Sequence, residues 1–392
     1  MEFSKRMDRF GDEIFAALNV RRLALEAEGR KIWNFSIGTP DFCTPEHIKQ
    51  ALVEAAKDQD NWKYALRDIP ALKQAVCDYY ARRFHVTITP DMVCSCYGTQ
   101  EGMGHLGMVL CDEGDTVLLP SPCYPVFIAG AAMAGAEIAY YPMTEETHFL
   151  PDVSRIPEET ARKAKYMVVS LPSNPMGSVA DPETYREIIA FAKKYDILIV
   201  HDNAYSDIIF TEEKGGSFLG YEGAKDVGVE FFSLSKSFNL TGARISFLIG
   251  RPDVIAAFGK LRSQIDFGMF LPIQYAAIAA LNGPVDMVEE QRWMYKERRD
   301  ALCAGFRSIG WQIPDSKGSM FVWAPVPVKG MNSMDFCLLL LEKAGVLCTP
   351  GSSFGPLGEG YVRFALVLPP EETRKAVEAV KESGLLSVEA EG

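Results

Sequence analysis

Residues 231–250 read FFSLSKSFNLTGARISFLIG, and this stretch decides the fold. Two apolar runs flank a short polar turn that carries Ser233, Lys236 and Arg244. A lysine between apolar runs is a poor candidate for a solvated surface charge. Desolvation lowers the pKa of an amine and makes it a usable nucleophile. The hydroxyl and guanidinium close by supply a donor and a bidentate donor, which suit a phosphate. An amine, a hydroxyl and a guanidinium on one loop fit a lysine-bound pyridoxal 5'-phosphate. The plain alternative is a surface lysine and an arginine in an ordinary loop. The rest of the chain weighs against it.

Outward from this loop, short β-rich runs alternate with helical patterns. The runs are TVLLP (116–120), YMVVSLP (166–172), ILIVHD (197–202), EFFSLS (230–235) and SFLIG (246–250). They are continuously apolar rather than alternating, as in strands covered on both faces. PETYREIIAFAKKYD (182–196) reads as an amphipathic helix between two of them. The pattern predicts an α/β domain with a mostly parallel sheet between helices. The last third differs. A long charged helix is expected over 283–310, a strand over 319–325, a helix over 333–345, strands at 346–351 and 361–366, and a final helix from Glu371. That order is a smaller α+β unit. The expected division is a large domain at 36–282, with 1–35 and 283–392 forming the small one.

The chain has 392 residues, long enough for two packed domains. Its net charge of -12 argues against nucleic acid, which needs a basic face. A few local arginines can still hold anionic substrates. No apolar stretch approaches the ~20 residues of a membrane span. MEFSKRMDRFGDEIF lacks an apolar signal core, so export is not expected. The nine cysteines are odd in number and lack CxxC spacing, which fits free thiols in a reducing cytoplasm. The five histidines are scattered without a metal-binding spacing.

Other candidates cluster at the ends of apolar runs. Asp202 in HDNAY (201–205) ends one of them, where open α/β sheets bind ligands. A carboxylate there can pair with the protonated pyridine nitrogen of the cofactor. It can also be a plain helix N-cap. Tyr205 could donate to the ring's phenolate oxygen. Asn174 in SLPSNPMG (170–177) could do the same, although by itself it reads first as a turn residue. CYGTQEGMGHLGMVL (96–110) contains a GxGxxG match at Gly102, Gly104 and Gly107. A dinucleotide site is rejected, because those glycines fall inside the helix and no acidic residue ends the next strand. Gly98, Thr99 and Gln100 at the helix start offer N–H groups and a hydroxyl to a phosphate, or form a simple cap. Tyr124 between two prolines can stack on a flat ring or pack in a turn. Arg363 in YVRFAL (361–366) sits among apolar residues and calls for a carboxylate partner, from the protein or from a substrate.

In this order, these residues resemble the fold-type-I pyridoxal-phosphate aminotransferases of classes I and II. The resemblance runs from Ser36-Ile37-Gly38-Thr39-Pro40-Asp41 to Val380. Within the class it extends in particular to bacterial LL-diaminopimelate aminotransferases and their relatives, through GAKDVGVEFFSLSK, HDNAYSDI, QYAAIAALNGP, SMFVWAPVP and LLEKAGVLCTPGSSFGPLGEGYVR. It implies a cofactor carried on Lys236, which also shuttles the substrate proton. Asp202 would hold the pyridine proton, Tyr205 and Asn174 the phenolate oxygen, and Tyr124 would stack on the ring. Ser233, Arg244 and the Gly98, Thr99 and Gln100 amides would hold the phosphate. Tyr64 would reach that phosphate from the other subunit of a homodimer with shared sites. Arg363, Asn174 and the Gly38 backbone would take the substrate α-carboxylate. The implied partners are an amino acid and a 2-oxo acid, with 2-oxoglutarate and glutamate foremost.

The chain departs from the family pattern at Tyr64-Ala-Leu-Arg67-Asp68-Ile-Pro-Ala-Leu-Lys73. The loop is one residue short, Asp68 replaces a usual glycine, and Lys73 replaces an arginine. Ala243, Ser246 and Gln100 stand where relatives often carry Trp, Gly and Lys. Arg67 in this loop is a candidate for the substrate's far end, or a solvent-exposed arginine. The alternatives to an LL-diaminopimelate aminotransferase are an aspartate- or alanine-type enzyme, a β-lyase or decarboxylase on the same fold, and a non-catalytic regulatory domain.

Overall fold

The computed structural model describes residues 2–10, 16–211 and 215–387. Twelve strands are present among them. They are β1 (Trp33–Asn34), β2 (Val93–Cys96), β3 (Thr116–Ser121), β4 (Glu137–Pro142), β5 (Ala164–Ser170), β6 (Leu198–Asp202), β7 (Gly228–Ser233), β8 (Ser246–Gly250), β9 (Phe321–Pro325), β10 (Val346–Leu347), β11 (Thr349–Pro350) and β12 (Tyr361–Ala365). Seven of them build the main sheet in the order β2-β8-β7-β6-β5-β3-β4. The pairs from β4 across to β7 are parallel, and β8 runs antiparallel to both of its neighbours. The sheet is mostly parallel, as the continuous apolar runs require.

Burial explains those runs. Ile199, Val200, Val229 and Phe231 are fully buried, with helices on either side. Each such side chain contributes roughly 1.5–3 kcal/mol relative to an exposed one. The outer strand β4 is mostly half-exposed and carries no continuous apolar run, which is why it escaped notice in the sequence. The GxGxxG glycines lie inside the helix Thr99–Leu110, Gly102 against Phe231 of β7 and Gly104 and Gly107 facing the helix Pro125–Ala134. A Cβ on Gly107 would run into the Gly130 carbonyl, and one on Gly130 would sit 2.7 Å from the Met103 carbonyl. Gly107 and Gly130 let the two helix backbones pack directly.

A second core gathers Leu18, Leu25 and Phe35 from the N-terminal side around Trp311, Phe336, Leu340 and Phe364. The helices Ala16–Ala27, Asp286–Ser308, Ser333–Ala344 and Pro370–Glu382 enclose the small sheet β11-β12-β9. One expectation needs correction. Residues 346–351 are not a single strand. The chain pairs β10 with β1, passes Cys348, and then pairs β11 with β12, so that Thr349 lies opposite Arg363. A local apolar run cannot reveal a change of partner, because the partners lie far away in sequence.

The topology converges on one edge. Strands β3, β5, β6 and β7 end there in Ser121, Ser170, Asp202 and Ser233. The antiparallel β8 begins there, just after Arg244, and β2 ends there, just before Gly98. All nine cysteines are free, and no described helix is long and apolar enough to cross a membrane.

Candidate active site

The carboxyl edge of the sheet opens into a cavity of about 800 Å³ lined from both cores. Lys236 reaches it from the short helix Leu234–Ser237, which Ser233 caps by accepting from Ser235 N–H at 3.2 Å. The lysine's own carbonyl accepts from Gln291 Nε2 at 2.8 Å, and Asn239 Nδ2 donates to Gln291 Oε1 at 2.9 Å. Next to it, Ser237 Oγ donates to Asp207 at 2.6 Å. These bonds fix the backbone that carries the amine. The Nζ donates to the Gly38 carbonyl at 2.8 Å. Burial pushes this amine down to about 8, helped by the charges of Arg363 and Arg244.

Asp202 is buried at the end of β6. Its Oδ2 accepts from Ser170 Oγ at 3.3 Å, while Oδ1 is buried without a partner. Burial raises this carboxyl to about 6, against the opposing pull of His201, Ser170 and Lys236. No helix begins at Asp202, so it is not a cap. Tyr205 is buried nearby, edge-on to Phe321 at 5.6 Å.

Gly98 is the N-cap of the helix Thr99–Leu110, at a φ of +88° that favours glycine. A Cβ there would collide with the Arg244 guanidinium. Thr99 Oγ1 is buried without a partner at the positive end of that helix. Helix N–H groups, an unused hydroxyl and a guanidinium thus face one space, a ready site for an anion. Tyr124 caps the next helix from the edge of the cavity and is edge-on to Phe127 at 6.0 Å.

Arg363 occupies the opposite wall. It is 5% exposed and lies between Phe321 and Phe354, 4.2 and 4.7 Å from their ring centroids. Its Nη1 donates to Asn174 Oδ1 at 2.8 Å and its Nη2 to the Ser36 carbonyl at 2.9 Å. Thr349 Oγ1 stands 3.4 Å from Nη2. Nε has no partner, and no carboxylate among the described residues pairs with the group. Burial pulls it down to about 10. Asn174 is both a turn residue and an orienting partner of this arginine.

Gly38, Gly98, Thr99, Gln100, Tyr124, Asn174, Asp202, Tyr205, Ser233, Lys236, Arg244 and Arg363 all line this one cavity. Tyr64 and Arg67 do not. Both are exposed on the surface, Tyr64 at 87%, in the loop before the helix Pro70–Phe84. Sequence reasoning missed Ser235, Phe321, Phe354, Thr349 and Ser170. Ser235 adjoins a named motif and could have been noticed. Ser170 likewise begins a quoted motif, whereas Phe321, Phe354 and Thr349 reach the site only through the packing of distant segments. Glu101, His105 and Asp266 also bring ligand-type atoms within 4.8 Å of one another, away from the cavity. Asp266 there is paired with Arg262, and Glu101 accepts from Tyr97 N–H, so both are already engaged.

Residues 30–380 match the model of the family "Aminotransferase class I and II". The chain belongs to this aminotransferase family. It is 40% identical to an LL-diaminopimelate aminotransferase of Moorella thermoacetica over 383 residues, 97% of this chain and 98% of that protein. It is 39% identical to the glutamate-pyruvate aminotransferase AlaC of Escherichia coli over 380 residues, 96% of this chain and 92% of that one. Substrate-bound BacF of Bacillus subtilis superposes with a TM-score of 0.93 at 36% identity, covering 97% of this chain and 98% of its own. The aminotransferase is therefore a pyridoxal-phosphate-dependent transaminase of fold type I acting on amino acids and 2-oxo acids. The cavity suits the cofactor: an amine, an orphaned buried carboxylate oxygen, an aromatic ring and an anion cradle all face it.

Proposed function

We propose that this aminotransferase takes the amino group of a substrate whose α-carboxylate is held by Arg363, with glutamate and 2-oxoglutarate as one exchanging pair and LL-diaminopimelate as the other donor. One observation carries the reading: Arg363 is a buried arginine held between two rings with no acidic partner among the described residues. A buried guanidinium lacking its anion is costly, and a substrate carboxylate relieves that cost. The phenyl rings exclude water, which strengthens the pairing.

Bound pyridoxal phosphate supplies an aldehyde that takes the amino group and a ring that withdraws electrons from Cα. The chain's own groups would do the rest. Lys236, lowered toward neutrality, is nucleophilic and can move the proton at Cα. Asp202 Oδ1 would hold the ring proton, and Tyr205 and Asn174 would face the phenolate oxygen. Tyr124 would cover the ring. Gly98, Thr99, Gln100, Ser233 and Arg244 would hold the phosphate. Gly38 closes the wall beside Arg363, because a Cβ on it would meet the Phe321 ring at 2.5 Å.

The working unit in this proposal is a cytoplasmic homodimer with shared sites, divided near residue 283. Supporting it, Trp62, Tyr64, Leu66, Ile265, Phe267 and Phe270 are exposed apolar residues from two neighbouring segments. Trp62 lies 5.2 Å from Phe270 and Tyr64 lies 6.1 Å from Phe267. A contiguous apolar patch of this kind marks an interface. Tyr64 would enter the partner's phosphate site from it.

A second reading, glutamate with pyruvate, is supported by the AlaC likeness and by the cavity wall. Among the described residues Asp202 is the one carboxylate lining it, so they offer no second acid to a distal ammonium group. The deciding experiment mixes the holoenzyme with LL-diaminopimelate, glutamate, aspartate or alanine and follows conversion of the cofactor to its amine form. Stoichiometric conversion with LL-diaminopimelate and glutamate supports the first reading. Conversion with alanine and glutamate alone supports the second, and release of pyruvate and ammonia from an added β-substituted amino acid such as cysteine, without conversion, would point to a lyase.

A further inference from the structure

Behind Asp202, on the other face of its strand, lies a buried acid–base pair that the chemistry above does not use. His201 and Glu230 are register partners across β6 and β7, exposed to 1% and 0%. Glu230 accepts from Tyr80 Oη and Ser217 Oγ, each at 2.6 Å, from Phe218 N–H at 2.9 Å and from Asn203 Nδ2 at 3.4 Å. Four donors converge on its two oxygens, the arrangement of a carboxylate. A buried anion needs a cation. Among the described residues the one basic group within ion-pair reach is His201, whose Nδ1 lies 3.6 Å from Oε2 and has no other partner. Its Nε2 lies 3.3 Å from Tyr185 Oη, which can accept, and its ring stacks on Phe218 at 5.4 Å. Glu230 Oε2 and Tyr185 Oη can therefore each receive a proton-bearing ring nitrogen, which an imidazolium requires.

We propose that Glu230 holds His201 as an imidazolium, and that this charge keeps the adjacent Asp202 ionised, so that the proton shared with the bound pyridine ring resides on the ring. His201 is a positioning residue, since it lies outside the cavity wall. The groups that face the pair are Tyr80 from the helix Pro70–Phe84, Tyr185 from the helix Pro182–Tyr195, and Asp202 on the same strand, with Lys236 acting on Asp202 from the cavity side. Burial favours the neutral acid at Asp202, and His201 is foremost among the groups that oppose it. Without the imidazolium the shared proton would move toward Asp202, and the ring would withdraw electrons less strongly.

The inference rests on the reading of Asp202 as the partner of the ring nitrogen, and the test separates the two. The holoenzyme is loaded with pyridoxal phosphate carrying 15N in the ring, and the ring-nitrogen resonance is recorded by NMR. The wild type should give a pyridinium-type shift. His201→Gln and Glu230→Gln should each move it toward the neutral pyridine value, and Asp202→Asn should move it furthest. If Asp202→Asn shifts the resonance and the other two leave it in place, the His201 proposal is overturned. If Asp202→Asn also leaves it in place, the Asp202 assignment falls and the proposal with it. A measurement on the unmodified protein guards against variants that fail to fold: 15N-histidine labelling should give an imidazolium pattern for His201 at pH 8, and a neutral pattern there would overturn the proposal.

Discussion

Lys236 Nζ donates to the carbonyl of Gly38 at 2.8 Å, a bond between residues 198 positions apart. It joins the amine at the sheet edge to the segment that also presents the Ser36 carbonyl to Arg363. The nucleophile and the arginine expected to hold the substrate therefore share one short strap.

The amine's environment leads to a pH prediction. With its pKa lowered to about 8, Lys236 is mostly ammonium at pH 7 and mostly free amine at pH 9. Capture of pyridoxal phosphate by the apoprotein should accelerate roughly tenfold per pH unit below about 8 and level off above it. Stopped-flow absorbance measures this. Borohydride should then fix the cofactor on Lys236, and peptide mapping that finds it on another lysine sinks the assignment.

Asp202 predicts a trade between stability and function. Its carboxyl is raised from 3.8 to about 6 by burial, so the folded state binds the proton more tightly than the unfolded state. The cost of ionising it is absent below about 3.8 and complete above about 6. It amounts to about 3 kcal/mol. Asp202→Asn should therefore melt higher than the wild type at pH 7.5 without cofactor, and equally at pH 4. With cofactor it should lose several orders of magnitude in α-proton abstraction, because the electron sink weakens. Calorimetry and single-turnover deuterium exchange read the two effects. Near-native exchange would refute the role.

Shared sites predict subunit complementation. Tyr64 is 87% exposed, and its loop is anchored rather than loose. The buried Asp68 accepts from Ser95 N–H at 2.8 Å and from Ser95 Oγ at 2.5 Å, and Gly268 N–H donates to the Ala65 carbonyl at 2.6 Å. Asp68 thus has a structural job in the shortened loop. Mixing Lys236→Ala with Tyr64→Ala subunits should recover activity, because one site per heterodimer is intact. No recovery after exchange verified by mass spectrometry counts against sharing.

Arg67 precedes that anchor and is exposed. In a partner's substrate mouth it would pair with a distal carboxylate. Arg67→Ala should then lower kcat/KM for a dicarboxylic substrate roughly 10- to 100-fold and spare a neutral one. Equal loss on both substrates, or none on either, leaves Arg67 a surface arginine.

Lys236, Asp202 and Arg363 were each legible in the sequence as residues out of keeping with their surroundings, whereas Asn174 by itself read first as a turn residue. A polar group ending an apolar run must be satisfied by something, and that demand is local. The rejection of a dinucleotide site was legible too, since the glycines fell within a helical pattern that the structure bears out. The half-exposed edge strand β4 was not, for want of an apolar run.

The sequence by itself determined which groups meet. Continuous apolar runs force strands into the middle of a parallel sheet, and the residues that end those runs must then emerge along one edge. What only the tertiary structure decided is what each group feels once there. Phe321 and Phe354 enclose Arg363, Thr349 stands opposite it after the chain changes sheets at Cys348, and Glu230 pairs with His201 behind Asp202. Desolvation and charge pairing depend on distances between segments far apart in the chain, and no run of neighbouring residues encodes those distances.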